Sequence, residues 1–136
     1  MACLDTTFLI DLARKRGGRK AKARAALIGL VSADERLCTT RFTVAELYVG
    51  VFRASQVAHE RAAVAAVLQG LEILEFTPVA AETFGRLTAR LQAMGKPAGD
   101  MDVLIASTAM AEGETRIVTR NVGHYADIPG ITVVSY

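Results

Sequence analysis

Residues 99–121, GDMDVLIASTAMAEGETRIVTRN, decide the fold. Asp100 and Asp102 stand just before an uninterrupted run of small and apolar residues from Val103 to Ala111, and the next charge is Glu112. That run is too long for an ordinary strand and reads as a helix over 102–112, buried on nearly every side. Its small residues, Ala106, Ser107, Ala109 and Ala111, allow it to lie close against a sheet. RIVT (116–119) follows as a short strand.

The same rhythm runs outward to both ends. ACLD (2–5) is a strand, and TTFLIDLARKRGG (6–18) a helix with threonine at its start, basic residues in its last turn and glycines to end it. A helix covers about 20–33, RLCTT (36–40) is a strand, and TVAELYVGVFR (43–53) and SQVAHERAAVAAVLQG (55–70) are helices. EILEF (72–76) is a strand, Pro78 opens a helix that Gly95 ends, NVGHYAD (121–127) is a turn or short helix, and ITVVS (131–135) is the last strand. Strands alternating with helices predict parallel strands joined by right-handed crossovers, with helices on both faces. The expectation is an open, doubly wound α/β sheet forming one domain over 1–136. Ligands of such sheets bind beyond the carboxyl ends of the strands.

Composition excludes several classes. Half the residues, 51%, are hydrophobic, which argues against disorder, and no apolar run is long enough to cross a bilayer. MACLDTTFLID at the start has neither a basic leader nor a cleavage site, so the expected location is cytoplasmic. Two cysteines, Cys3 and Cys38, and two histidines are too few for a zinc finger or ribbon; the cysteines read as reduced core residues. The net charge of +2 hides a basic stretch, RKRGGRKAKAR (14–24), which is a solvated helix end or a contact for phosphate backbone. It has no interleaved aromatics and so is no stacking platform for bases.

Four acids come from segments that the topology gathers at one edge. Asp5 ends the first strand, Glu46 lies just after the second, and Asp100 and Asp102 open the helix before RIVT. Each has a structural explanation. Asp5 can cap a helix, although Thr6 or Thr7 would serve equally. TVAE (43–46) fits a capping box, with Thr43 as the cap and Glu46 in the third helical position. Asp100 and Asp102 can cap the 103–111 helix and complement its dipole. Converging together, with no Lys or Arg beside most of them, the acids would repel one another and raise their pKa values. A divalent cation resolves that conflict, and an all-oxygen ligand set suits Mg2+ or Mn2+. The chemistry implied is metal-assisted attack of water on a phosphodiester.

LDTTFLID, TVAELYVGV, DVLIASTAMAEG and IVTRNVGHY, in this order across nearly the whole chain, resemble a PIN-domain ribonuclease of the kind that serves as the toxin in VapBC toxin–antitoxin pairs. The resemblance implies a three-layer α/β/α domain around a central, mostly parallel sheet of about five strands. It also implies an endoribonuclease that uses Mg2+ or Mn2+, forms a homodimer and is blocked by a cognate VapB-type antitoxin. The family's acids fall on Asp5, Glu46 and Asp102, and Asp100 is an extra acid at the rim, a further contact for the metal shell or water. The fourth acid that the family often carries is Asn121 here, an uncharged amide. Thr6 and Thr119 fall on hydroxyl positions that orient acids or water, and Arg120 on a phosphate contact. A scaffold that binds a partner or RNA without cutting it is the alternative that Asn121 permits.

Other hydrolytic and nucleotide-binding patterns fail. A haloacid-dehalogenase-like phosphatase needs a second Asp where Thr7 stands, and a receiver domain needs an Asp after the third strand, where EILEFTPVAA has none. LDTTF lacks the glycine-rich turn of a phosphate-binding loop, and His59 and His124 have no GxSxG to serve.

Overall fold

The computed structural model describes residues 1–136. Five short strands, β1 (Ala2–Leu4), β2 (Leu37–Thr40), β3 (Glu72–Leu74), β4 (Arg116–Val118) and β5 (Thr132–Val134), form one sheet in the order β3-β2-β1-β4-β5. Every neighbouring pair is parallel, so the sheet is wholly rather than mostly parallel. Seven helices connect and cover it: α1 (Thr6–Ala13), α2 (Gly18–Ser32), α3 (Arg41–Arg53), α4 (Val57–Leu68), α5 (Pro78–Ala93), α6 (Asp100–Ala111) and α7 (Val122–Tyr125).

The period-two alternation of the strands divides the interior into two cores. Cys3 and Ile117 face one side, with Leu87 and Leu91 of α5, Val103, Ile105, Ala106 and Ala109 of α6, and Tyr125 of α7. Ala2, Leu4 and Val118 face the other, with Phe8 and Leu9 of α1, Ala23 of α2, Leu47 and Val51 of α3, and Val64 of α4. The result is the three-layer α/β/α arrangement. Both cysteines are free and buried on adjacent strands. Ser107 and Thr108 donate their hydroxyls to Val103 O and Leu104 O within α6, which removes their polarity from the buried helix. No helix is long and apolar enough to cross a membrane.

The chain moves outward from β1 through β2 to β3, then returns to the far side of β1 with β4. The strand order therefore reverses between β1 and β4. In an open parallel sheet the crevice for a ligand lies at that switch point, outside the carboxyl ends of the strands.

Three local expectations are corrected at helix starts. α3 begins directly after β2, because Thr40 caps it by accepting from Thr43 N at 3.2 Å. Thr43 is thus inside the helix, Glu46 lies a turn further on, and the capping box does not form. Asp5 itself is the N-cap of α1, rather than Thr6 or Thr7. Gly99 is the N-cap of α6 and makes no side-chain cap, so Asp100 and Asp102 lie within the first turn and cap nothing, although their charge still suits the dipole. α1 also stops earlier than its pattern suggests, at Ala13. Arg14 folds back on Asp11 at 3.1 Å, Lys20 Nζ donates to Arg14 O at 2.6 Å, and Gly17, at φ 119°, opens the way into α2.

Candidate active site

Asp5 lies at the switch point and is almost fully buried, at 3% exposure. Its Oδ1 accepts from Thr7 N at 2.8 Å, Thr7 Oγ1 at 2.7 Å and Phe8 N at 3.3 Å. Its Oδ2 accepts from Thr119 Oγ1, just beyond β4, at 2.8 Å. The carboxylate is fixed in rotation, and Oδ2 retains a lone pair for a further partner. Thr7 Oγ1 in turn accepts from Arg120 N at 3.1 Å, and Thr119 Oγ1 accepts from Asn121 N at 3.0 Å, so the segment after β4 is tied to the start of α1.

Glu46 reaches the same edge from α3. Its Oε1 accepts from Thr6 Oγ1 at 2.6 Å, so this hydroxyl holds an acid 40 positions away. Burial raises the Glu46 pKa above its ordinary 4.5; the Thr6 bond opposes that rise, and the charges of Asp102 and Asp5 add to it. Asp102 comes from the first turn of α6. Burial raises its pKa above 3.8, the neighbouring His124 opposes the rise, and Asp5 adds to it. Tyr125 provides a third view of the same cluster: its pKa is pushed up by burial and then by Asp5, Asp102 and Glu46 together. Three acids therefore bear on one region, and neither Lys nor Arg pairs with any of them.

Gly99 makes room for this arrangement. A Cβ there would stand 3.1 Å from Asp102 Oδ2, so a side chain at the α6 cap would push the carboxylate aside.

The other sequence-derived positions divide. Thr6 and Thr119 bond Glu46 and Asp5. Asn121 caps α7 by backbone position only, without a side-chain bond. Asp100 is exposed and lines a small cavity with Thr88 and Gln92 of α5. Arg120 is neither a free surface arginine nor wholly available to a phosphate: its Nε donates to Asp11 Oδ2 at 3.0 Å. Asp11 is fully buried and also accepts from Arg14 Nε at 3.1 Å and Tyr136 OH at 2.7 Å. Sequence patterning missed Asp11, Thr7, His124 and Tyr125. Only the second threonine of DTT carried a local signal, since a hydroxyl two positions after a cap can bond it.

As placed, no three His, Cys, Asp or Glu groups close into a ligand cage. The donor set nevertheless fits Mg2+ or Mn2+. All its atoms are hard oxygens, and the charged forms of Glu46 and Asp102 are disfavoured without a counter-cation. Mg2+ is usually bound through one or two carboxylates and keeps several waters, so a complete protein cage is not required.

The raised pKa values have a stability consequence with a definite sign. A carboxyl whose folded pKa lies above its unfolded value favours the fold while protonated, and that contribution is lost as pH rises through the folded pKa. In EDTA, Glu46→Gln should melt above the parent protein at neutral pH, and the gap should close as pH falls below 4.5. Thermal melts across pH 3.5–7.5 check this; a gap independent of pH contradicts it.

The fold and the acid-lined switch point define a class, and comparison with known proteins agrees. Residues 2–128 match the PIN domain family model, and the chain belongs to that family. Among curated relatives it is 36% identical over 78 residues to ribonuclease VapC2 of Haemophilus influenzae, covering 57% of this chain and 59% of that protein. It is 32% identical over 98 residues to the tRNA(fMet)-specific endonuclease VapC of Salmonella typhimurium, covering 72% and 74%. Among solved structures, the chain is similar to one in VapBC2 from Rickettsia felis bound to a DNA fragment from its promoter, with TM-score 0.87, 25% identity and coverage of 98% and 97%. A chain of DNA-bound VapBC from Salmonella typhimurium gives TM-score 0.85, 28% identity and coverage of 99% and 98%.

Proposed function

We propose that this protein is a metal-dependent endoribonuclease toxin that hydrolyses RNA phosphodiester bonds and is neutralised by a cognate VapB-type antitoxin. The observation that carries the reading is the convergence of Asp5, Glu46 and Asp102 at the switch point without a basic partner. The VapC ribonucleases among its relatives and the VapBC complexes among its structural neighbours support it.

When bound, Mg2+ or Mn2+ supplies a water nucleophile active near neutral pH and neutralises charge on the phosphate. Asp5 and Asp102 are the residues to hold it: Asp5 because four hydrogen bonds fix its carboxylate, Asp102 because the α6 backbone delivers it from a helix packed into the core. Glu46, kept in one orientation by Thr6, completes the set or positions the attacking water. Thr119 keeps the Asp5 oxygens directed, and Asn121 beside it offers an amide to a phosphate oxygen or a water. Arg120 gives Nε to Asp11, so a phosphate contact would use the rest of its guanidinium. Exposed Val49 and Phe52 on α3 support pairing with a second copy of the chain.

Expression in a bacterial host without a partner protein should arrest growth, with RNA fragments accumulating. Asp5→Asn expressed to the same level should leave growth normal, because asparagine still caps α1 but removes the charge. Equal toxicity of the two proteins would contradict the reading.

A further inference from the structure

His124 has no role in the chemistry proposed above, yet its ring lies against one of the acids. Its Nδ1 stands 3.3 Å from Asp102 Oδ2. The same Oδ2 faces the bare Cα of Gly99 on another side, where a Cβ would come to 3.1 Å. Oδ2 is therefore flanked by two neighbours, the His124 ring and Gly99, and Oδ1 by neither. The ring is delivered by a fixed segment. His124 N donates to Asn121 O at 3.0 Å, and the next residue, Tyr125, is 1% exposed in the core beneath α6. The ring is itself 57% exposed, on the wall of an open cavity that also includes Gly99, Asp102 and Asp127. A side chain so exposed adds little to the core, and packing does not explain its approach to Asp102.

We infer that His124 is a positioning residue for Asp102: its Nδ1–H engages Oδ2 and turns Oδ1 toward the divalent cation. The inference rests on the metal-dependent reading of the site. It uses the general chemistry of metal centres, in which groups bonded to a ligating carboxylate fix its orientation and removing them weakens metal affinity about 10- to 100-fold. A neutral or a charged imidazole can donate from Nδ1, so the role requires no change of protonation.

The test is Mn2+ binding followed by electron paramagnetic resonance on the purified chain, comparing the parent protein with Asp102→Asn, His124→Ala and His124→Asn. An asparagine amide can donate from nearly the place of Nδ1, whereas alanine cannot. Asp102→Asn should lose binding, His124→Ala should weaken it about 10-fold or more, and His124→Asn should recover most of the loss. Thermal midpoints of the two His124 variants should match the parent. Parent-like Mn2+ affinity in His124→Ala, with binding lost in Asp102→Asn, overturns the role of His124 and leaves the metal site standing. Absence of Mn2+ binding by the parent protein overturns both.

Discussion

Asp102→Asn is expected to reduce RNA cleavage by at least about 100-fold, the upper range reached by groups merely adjacent to a metal ligand. In the same variant the thermal midpoint of the metal-free protein should rise. The two effects have opposite signs for one reason. Burial and the charge of Asp5 disfavour the ionised Asp102 carboxyl, with His124 only partly compensating. An amide of the same shape removes that penalty and, with it, the charge that a cation needs. The α6 start loses nothing, because Asp102 makes no cap there. A residue kept for folding would lose stability on substitution; one kept for chemistry gains it. Cleavage assays beside melts in EDTA separate the two. Loss of both activity and stability would reassign Asp102 to the fold.

Asp11→Ala carries the largest expected effect on stability. Burial pushes the Asp11 carboxyl up, but bonds from Tyr136, Arg120 and Arg14 outweigh it and hold its pKa below 3.8. A depressed carboxylate contributes stability above its unfolded pKa, and that contribution is lost as pH falls through the folded value. Alanine would leave Arg120 and Arg14 facing an uncharged pocket and the Tyr136 hydroxyl without its acceptor. Removing one member of a buried ion pair costs about 3–5 kcal/mol. The two arginine side chains are 34% and 45% exposed and can recover water, which holds the loss at or below about 3 kcal/mol. Urea denaturation at neutral pH measures it, and the deficit should shrink at acid pH, where the parent also loses the pairing. An unchanged midpoint would show that the network is energetically idle.

The fold was legible wherever a local pattern had one physical meaning. The run Val103–Ala111 has no polar face to expose and could only be an interior helix, and the short apolar strands between helices implied parallel pairing. The order β3-β2-β1-β4-β5 was not legible, because nothing within a buried strand selects its neighbour. Asp5 could be found because it stands where β1 gives way to α1, and Glu46 and Asp102 because they lie near the starts of α3 and α6, at the end of the sheet where open sheets gather their ligands. The register at α3 was misread because Thr40 and Thr43 are both competent caps, and Thr40, at the end of β2, starts the helix first. Asp11 reads locally as an ordinary polar position on an amphipathic helix. Its burial depends on Arg120 and Tyr136, the latter 125 positions away. His124 was equally hidden, since only the packing of Tyr125 under α6 brings its ring to Asp102.

Cleavage of a structured RNA pool by the purified protein, free of any partner, tests the central claim most directly. Cutting is expected with Mg2+ or Mn2+, with none in EDTA, recovery when the ion is restored, and at least about 100-fold less for Asp102→Asn. Cutting that persists in EDTA, or that Asp102→Asn retains in full, would contradict it.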